Sequence, residues 1–153
     1  MERKLRILFL CTGNSCRSQM AEGWTRKLKG KLIEAYSAGI KVHDLNKTAV
    51  EVMAEVGIDI SRQTSKHIDT LKNMEFDAVI TVCDNARETC PFFPRAKKIV
   101  HCGFKDPPAM AQALAATGAS EEAQRTCYRQ VRDEIQAFVK TLPASLEVEL
   151  RSQ

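Results

Sequence analysis

Residues 8–19 read LFLCTGNSCRSQ, and the fold follows from how that stretch is divided. Leu5–Leu10 is apolar apart from Arg6 and is bounded by small polar residues, the pattern of a strand buried on both faces. Asn14 or Ser15 stands in capping position for a helix over Cys16–Lys29, with Met20, Trp24 and Leu28 at four-residue spacing. A tight loop between strand and helix turns successive N–H groups into one concavity, and the helix N-terminus adds about half a positive charge. Gly13 lets the backbone turn, Asn14 tolerates a left-handed conformation, and Arg17 offers a planar fork for two oxygens. Thr12, Gly13, Asn14, Ser15, Cys16 and Arg17 are thus expected to form an oxyanion cradle with the sulfur of Cys11 at its floor. That positive field favours a thiolate, and Ser18 can steady it with a hydrogen bond. Cys11 therefore reads as a nucleophile facing a bound oxyanion.

Further along the chain, strand and helix patterns alternate. A short strand is expected at Leu32–Ser37, closed by Ala38–Gly39. Asn46 caps a helix over Lys47–Val56, ended by Gly57. Ile58–Asp69 reads as a polar loop. Phe76–Val82 is the strongest strand pattern, and Lys97–Cys102 is a fourth strand. A last helix runs from about Ser120 to Leu142, where Pro143 ends it, and Ala144–Gln153 reads as a loose tail. The expected class is α/β: a small four-stranded parallel sheet flanked by helices, in one domain spanning 1–153 with its core at about 4–142.

Composition narrows the functions. The chain has 153 residues, 27% of them charged, and a formal charge of +4. Aromatics make up only 6%, too few for base-stacking platforms, and no nucleic-acid-binding motif accompanies the charge. The apolar run Ile7–Cys11 is too short for a signal peptide, and no run approaches the ~20 residues of a membrane span. A cytoplasmic protein is expected, its six cysteines serving as thiols or catalysts rather than staples.

Two of those cysteines lie in TVCDNARETCPFFP, residues 81–94. Cys83 ends the strongest strand, at the sheet edge where ligands bind in open parallel sheets, the same edge as Cys11. Cys90 follows on a segment closed by Pro91 and Pro94. Six residues separate the pair, unlike the tight spacing of zinc ligands, and no histidine pair is suitably spaced, so no metal site is expected. In HCGFKDPPAM, residues 101–110, Asp106 can serve as a general acid over the cradle or simply as a turn residue before proline. Cys16, Cys102 and Cys127 read as small apolar residues. His43, His67 and His101 have no evident partner.

The Cys-x5-Arg-Ser loop resembles that of the low-molecular-weight protein tyrosine phosphatases. With CTGNSCRS and the further cysteine pair it is more similar still to the arsenate reductases built on that fold, over nearly the whole chain to about Leu142. The resemblance implies attack of Cys11 on arsenate with Asp106 as the acid. It implies a relay through Cys11–Cys83 and then Cys83–Cys90 disulfides, with no bound cofactor and thioredoxin as electron donor. Phosphate and sulfate would compete for the cradle, and a monomer is expected. Two other functions stay open: a phosphatase, against which stands the lack of a tyrosine-rich pocket rim, and a thiol-based arsenic or redox binding protein, which would need no anion cradle.

Some of the resembled reductases hold a potassium ion beside the loop. Asn14, Glu22, Ser37 and Thr64 match its ligands, but Lys66 stands where those enzymes have an aspartate. A lysine cannot ligate potassium; its ammonium is expected either to take the ion's place as loop support, bonding Glu22 and the Asn14 region, or to stay solvated beside an empty or water-filled site.

Overall fold

The computed structural model describes residues 3–84 and 93–146. Four strands, β1 (Leu5–Leu10), β2 (Ile33–Ala38), β3 (Ala78–Thr81) and β4 (Ile99–His101), form one parallel sheet in the order β2-β1-β3-β4. Its register pairs Ile7 of β1 with Ala35 and Ala78, and Val79 of β3 with Ile99. The chain leaves β1 toward one side of the sheet and returns on the other at β3. In open α/β sheets that reversal opens a crevice at the carboxyl ends of the strands.

Alternation along β1 divides two cores. Ile7 and Phe9 face the helices α1 (Arg17–Lys29), α2 (Lys47–Glu55) and α4 (Glu121–Lys140), where Met20, Trp24, Val52, Met53, Val131, Ile135 and Val139 are buried. Leu8 and Leu10 face a thinner layer of Leu71, Phe76 and Phe93. All four are fully buried, so β1 is the two-sided strand its composition predicts. Helix α4 packs on α1, α2 and α3 (Pro107–Ala116), and the Trp24 indole donates to the Arg132 carbonyl at 3.0 Å.

Several boundaries and one element depart from expectation. The second strand begins at Ile33, and Leu32 is exposed; Leu28, expected on the inner stripe of α1, is also exposed. The third and fourth strands are shorter than their apolar runs, because Phe76 makes only an isolated bridge to Ala96. Ile58–Asp69 holds the start of a 3-10 turn at Ile68–Leu71. Helix α3 was not expected: Pro107 and Pro108 occupy its first turn, where a missing N–H costs nothing. The tail is not loose at its start, since residues 144–146 form a helical turn and Leu146 packs into the core.

Candidate active site

Cys11 follows β1 directly. Its N–H donates to Ala38 at 3.2 Å, and its Sγ lies 3.2 Å from Ser18 Oγ on the first turn of α1. Asn14 is the residue that takes a left-handed conformation, with φ 49°. Neither Asn14 nor Ser15 caps α1, contrary to expectation; the N-cap is Cys16, without a side-chain capping bond. The reason is that the Asn14 side chain is engaged elsewhere. Its Oδ1 accepts the Lys66 backbone N–H at 2.7 Å, so its Nδ2 faces Ser18 Oγ and donates at 2.8 Å. With that lone pair of Ser18 occupied, the hydroxyl proton is left for a thiolate at Cys11. Lys66, Asn14, Ser18 and Cys11 thus form a polarised chain of donors ending on sulfur.

The loop is clamped from both sides. Lys41 and Ile40 donate to the Thr12 carbonyl, and Asn46 donates to Ser15. Gln19 Nε2 donates to the Asn14 carbonyl at 2.8 Å, and Ser65 Oγ to Gly13 at 3.2 Å. Gly39 permits the approach: a Cβ there would lie 2.7 Å from the Cys11 and Thr12 carbonyls. At Gly13 a Cβ would meet the His43 ring at 2.6 Å, so a side chain there would have to displace that ring. Sequence reasoning missed Gln19, Gln63, Ser65 and His43 as loop supports. The signal for two of them was a polar loop that reads as solvent-facing, and Gln19 shows none beyond its place on the inner side of α1.

Arg17 opens α1 almost wholly buried. Its Nη1 donates to the Phe104 carbonyl at 3.1 Å, and its Nη2 lies 3.7 Å from Asp106 Oδ1. The cradle and the Asp-Pro segment are thereby tied through one guanidinium, which leaves Asp106 over the loop and partly exposed. Asp106 is the N-cap of α3 yet makes no side-chain capping bond.

Cys83 is fully buried just past β3, beside the loop: the Thr12 hydroxyl contacts its Sγ at 3.9 Å, and its thiol faces the Leu10 carbonyl at 3.9 Å. Cys11 and Cys83 flank the reversal point of the sheet, and both are free thiols. Cys90 lies outside the described residues. Cys16 is buried, and burial pushes its thiol well above the usual range, with Cys11 adding to the effect. Burial raises Cys102 as well. The histidines do have partners: His101 Nδ1 lies 2.8 Å from Thr81 Oγ1, His67 Nδ1 accepts from Asp69, and His43 packs on Gly13.

Glu22, Ser37, Thr64 and Lys66 do gather beside Asn14, with a change of partners from those expected. Ser37 Oγ donates to Glu22 at 2.7 Å, and Arg26 pairs with Glu22 at 2.9 Å. The Lys66 ammonium donates to the Thr64 carbonyl at 2.8 Å, while its backbone serves Asn14. Burial lowers the Lys66 ammonium's pKa, and the charge of Glu22 opposes that shift. Among the described residues no three His, Cys, Asp or Glu side chains are grouped so as to hold a metal ion, and no helix is long and apolar enough to cross a membrane.

Residues 6–152 match the family model described as low molecular weight phosphotyrosine protein phosphatase. The chain is 49% identical over 141 residues to an arsenate reductase of Halalkalibacterium halodurans, covering 92% of this chain and 96% of the relative. To an arsenate reductase of Bacillus subtilis it is 50% identical over 135 residues, covering 88% and 91%. A solved arsenate reductase in the phosphate-binding state superposes with a TM-score of 0.73 at 33% identity, over 94% of this chain and 98% of that one.

Proposed function

Because the chain belongs to the low molecular weight phosphotyrosine protein phosphatase family, in its arsenate reductase branch, we propose that it reduces arsenate to arsenite by a three-thiol relay. The observation that carries this reading is the second thiol. Ester hydrolysis uses a cysteine, an arginine and an acid, whereas here a buried Cys83 also touches Thr12, the residue next to the nucleophile. A neighbouring thiol is what a two-electron reduction requires.

Arsenate binds the amides of 12–17 and the Arg17 fork. The Cys11 thiolate, fed by the Ser18 hydroxyl, attacks arsenic and forms an S–As bond, while Asp106 protonates the departing oxygen. Cys83 then attacks the Cys11 sulfur. The electron pair of the S–As bond passes to arsenic, which leaves as arsenite, and two thiols have become the Cys11–Cys83 disulfide. Cys90 attacks Cys83, frees Cys11 and carries the oxidation away as Cys83–Cys90. Thioredoxin, a dithiol of suitable potential, reduces that disulfide. Lys66 braces Asn14 from the side where the resembled enzymes use potassium. The Cys11, Arg17 and Asp106 set also suits phosphate esters, so a weak phosphatase activity accompanies reduction.

The test is an assay of NADPH loss with arsenate, thioredoxin and thioredoxin reductase, beside hydrolysis of an aryl phosphate by the same protein. Arsenate-dependent NADPH loss with slow ester hydrolysis is expected. Fast ester hydrolysis with no NADPH loss would make the protein a phosphatase. Binding of arsenite without either turnover would make it a thiol-based binding protein.

A further inference from the structure

At the amino ends of the strands, opposite the cradle, a cleft of about 210 Å³ opens between the sheet and the chain after α4. Leu5, Ile7, Ala78, Pro143 and Leu146 supply its apolar walls, and Asp77, Lys97 and Lys98 line it as well. The Asp77 carboxylate is already taken by Arg3 at 2.9 Å, the Arg6 N–H at 2.8 Å and Lys97 at 3.5 Å. Lys98 differs. It is 7% exposed, and its Nζ is buried with no hydrogen-bond partner among the described residues. It shares the face of Val100 and Cys102, which pack against the helix-side core, so it lies on the side of Ile7, Ala78 and Leu146.

A buried ammonium without an acceptor is strongly unfavourable, and an anion in the same cleft relieves it. We propose that Lys98 and this cleft form a binding site for a short aliphatic monocarboxylate. Because Nζ is buried, the carboxylate meets it as the flexible Lys98 stem turns it into the cleft, and the alkyl chain lies against Leu5, Ile7, Pro143 and Leu146. The apolar walls favour such an amphipathic anion over a fully hydrated one such as phosphate. A cavity of roughly 150 Å³ holds a benzene ring, so this cleft suits a chain of about six to eight carbons. The site is separate from the arsenate chemistry and stands whether or not the relay does.

The experiment titrates octanoate into the full chain by calorimetry and thermal melting, with saturating phosphate to occupy the cradle. Binding of one octanoate is expected, and at a hundredfold over its Kd the melting temperature should rise by about 5–10 °C. Octanol should bind at least tenfold more weakly. Lys98→Met, which keeps the stem and removes the charge, should lose the octanoate response and melt no lower than the parent. Equal binding of octanol, or undiminished octanoate binding by Lys98→Met, would overturn the proposal. So would a lower melting temperature of Lys98→Met without ligand, the outcome expected if Lys98 is already neutralised within the chain.

Discussion

Around Cys11, Asn14, Ser18, Gln19, Glu22 and Ser37 are all but sealed from solvent, and their side chains bond one another and the neighbouring backbone. Between α2 and α4, Arg125, Arg129 and Arg132 meet Glu51, Glu55 and Glu122 in a ladder in which most members have two or more partners, and Glu122 is 63% exposed. Both regions are networks of polar side chains tying helices to their neighbours. In the first, dielectric screening is weak and no substitute partner is at hand, so the loss of one member reaches the sulfur. In the second, water and alternative partners absorb the loss. The contrast separates side chains that bracket the proposed nucleophile from side chains that set helix packing.

The largest effect should come from Cys11→Ser. It should abolish arsenite release even in a single turnover, measured by arsenic speciation after quenching; measurable release would remove Cys11 from the chemistry. Next, Asp106→Asn should keep oxyanion binding and slow the first chemical step by about 10²–10⁴. A slowing of less than threefold in stopped-flow measurements would return Asp106 to the role of a turn residue before α3. Ser18→Ala deprives the thiolate of its donor and strands Asn14 Nδ2. With about 1–3 kcal/mol at stake, arsenate turnover should fall roughly ten- to a hundredfold. Unchanged turnover with a lowered melting temperature would mean that the Lys66–Asn14–Ser18 chain only holds the fold.

The smallest effect belongs to the ladder. Arg129, with Arg132, holds the Glu55 carboxyl at about 2, below its ordinary 4.5. Its stabilisation is therefore complete above the ordinary value and is lost as pH falls from there toward 2. Since Glu55 is 39% exposed, the loss should stay below about 1 kcal/mol. Acid titration of the melting temperature, parent beside Glu55→Gln, should show a small gap at pH 6 that closes by about pH 2. A gap as large as that of a cradle variant would erase the distinction between the two networks.

The proposed reactive residues are legible in the sequence because they lie close together along the chain or at a strand end. Cys11, Arg17 and Ser18 lie within one eight-residue stretch, and Cys83 follows the most apolar strand. What stayed hidden was tertiary. Gln63 and Ser65 read as solvated, yet Ser65 Oγ closes on the loop from about fifty residues away, and Lys66, expected to support the loop through its ammonium, does so through its backbone N–H. Asn14 reads as a cap because caps and buried brackets use the same residue type, and only the partner decides. Helix α3 was legible in principle, since Asp106-Pro107-Pro108 is a helix start as well as a turn. Gly39 reads as a strand terminator, although its need arises from backbone on another element.

The relay is tested most directly by Cys90→Ser, pre-reduced, mixed with one equivalent of arsenate and analysed by mass spectrometry of peptides under acid quench. It should release one arsenite per protein, stop, and hold a Cys11–Cys83 disulfide. Repeated turnover with thioredoxin at the parent rate, or one arsenite released with no Cys11–Cys83 peptide, would contradict the three-thiol order.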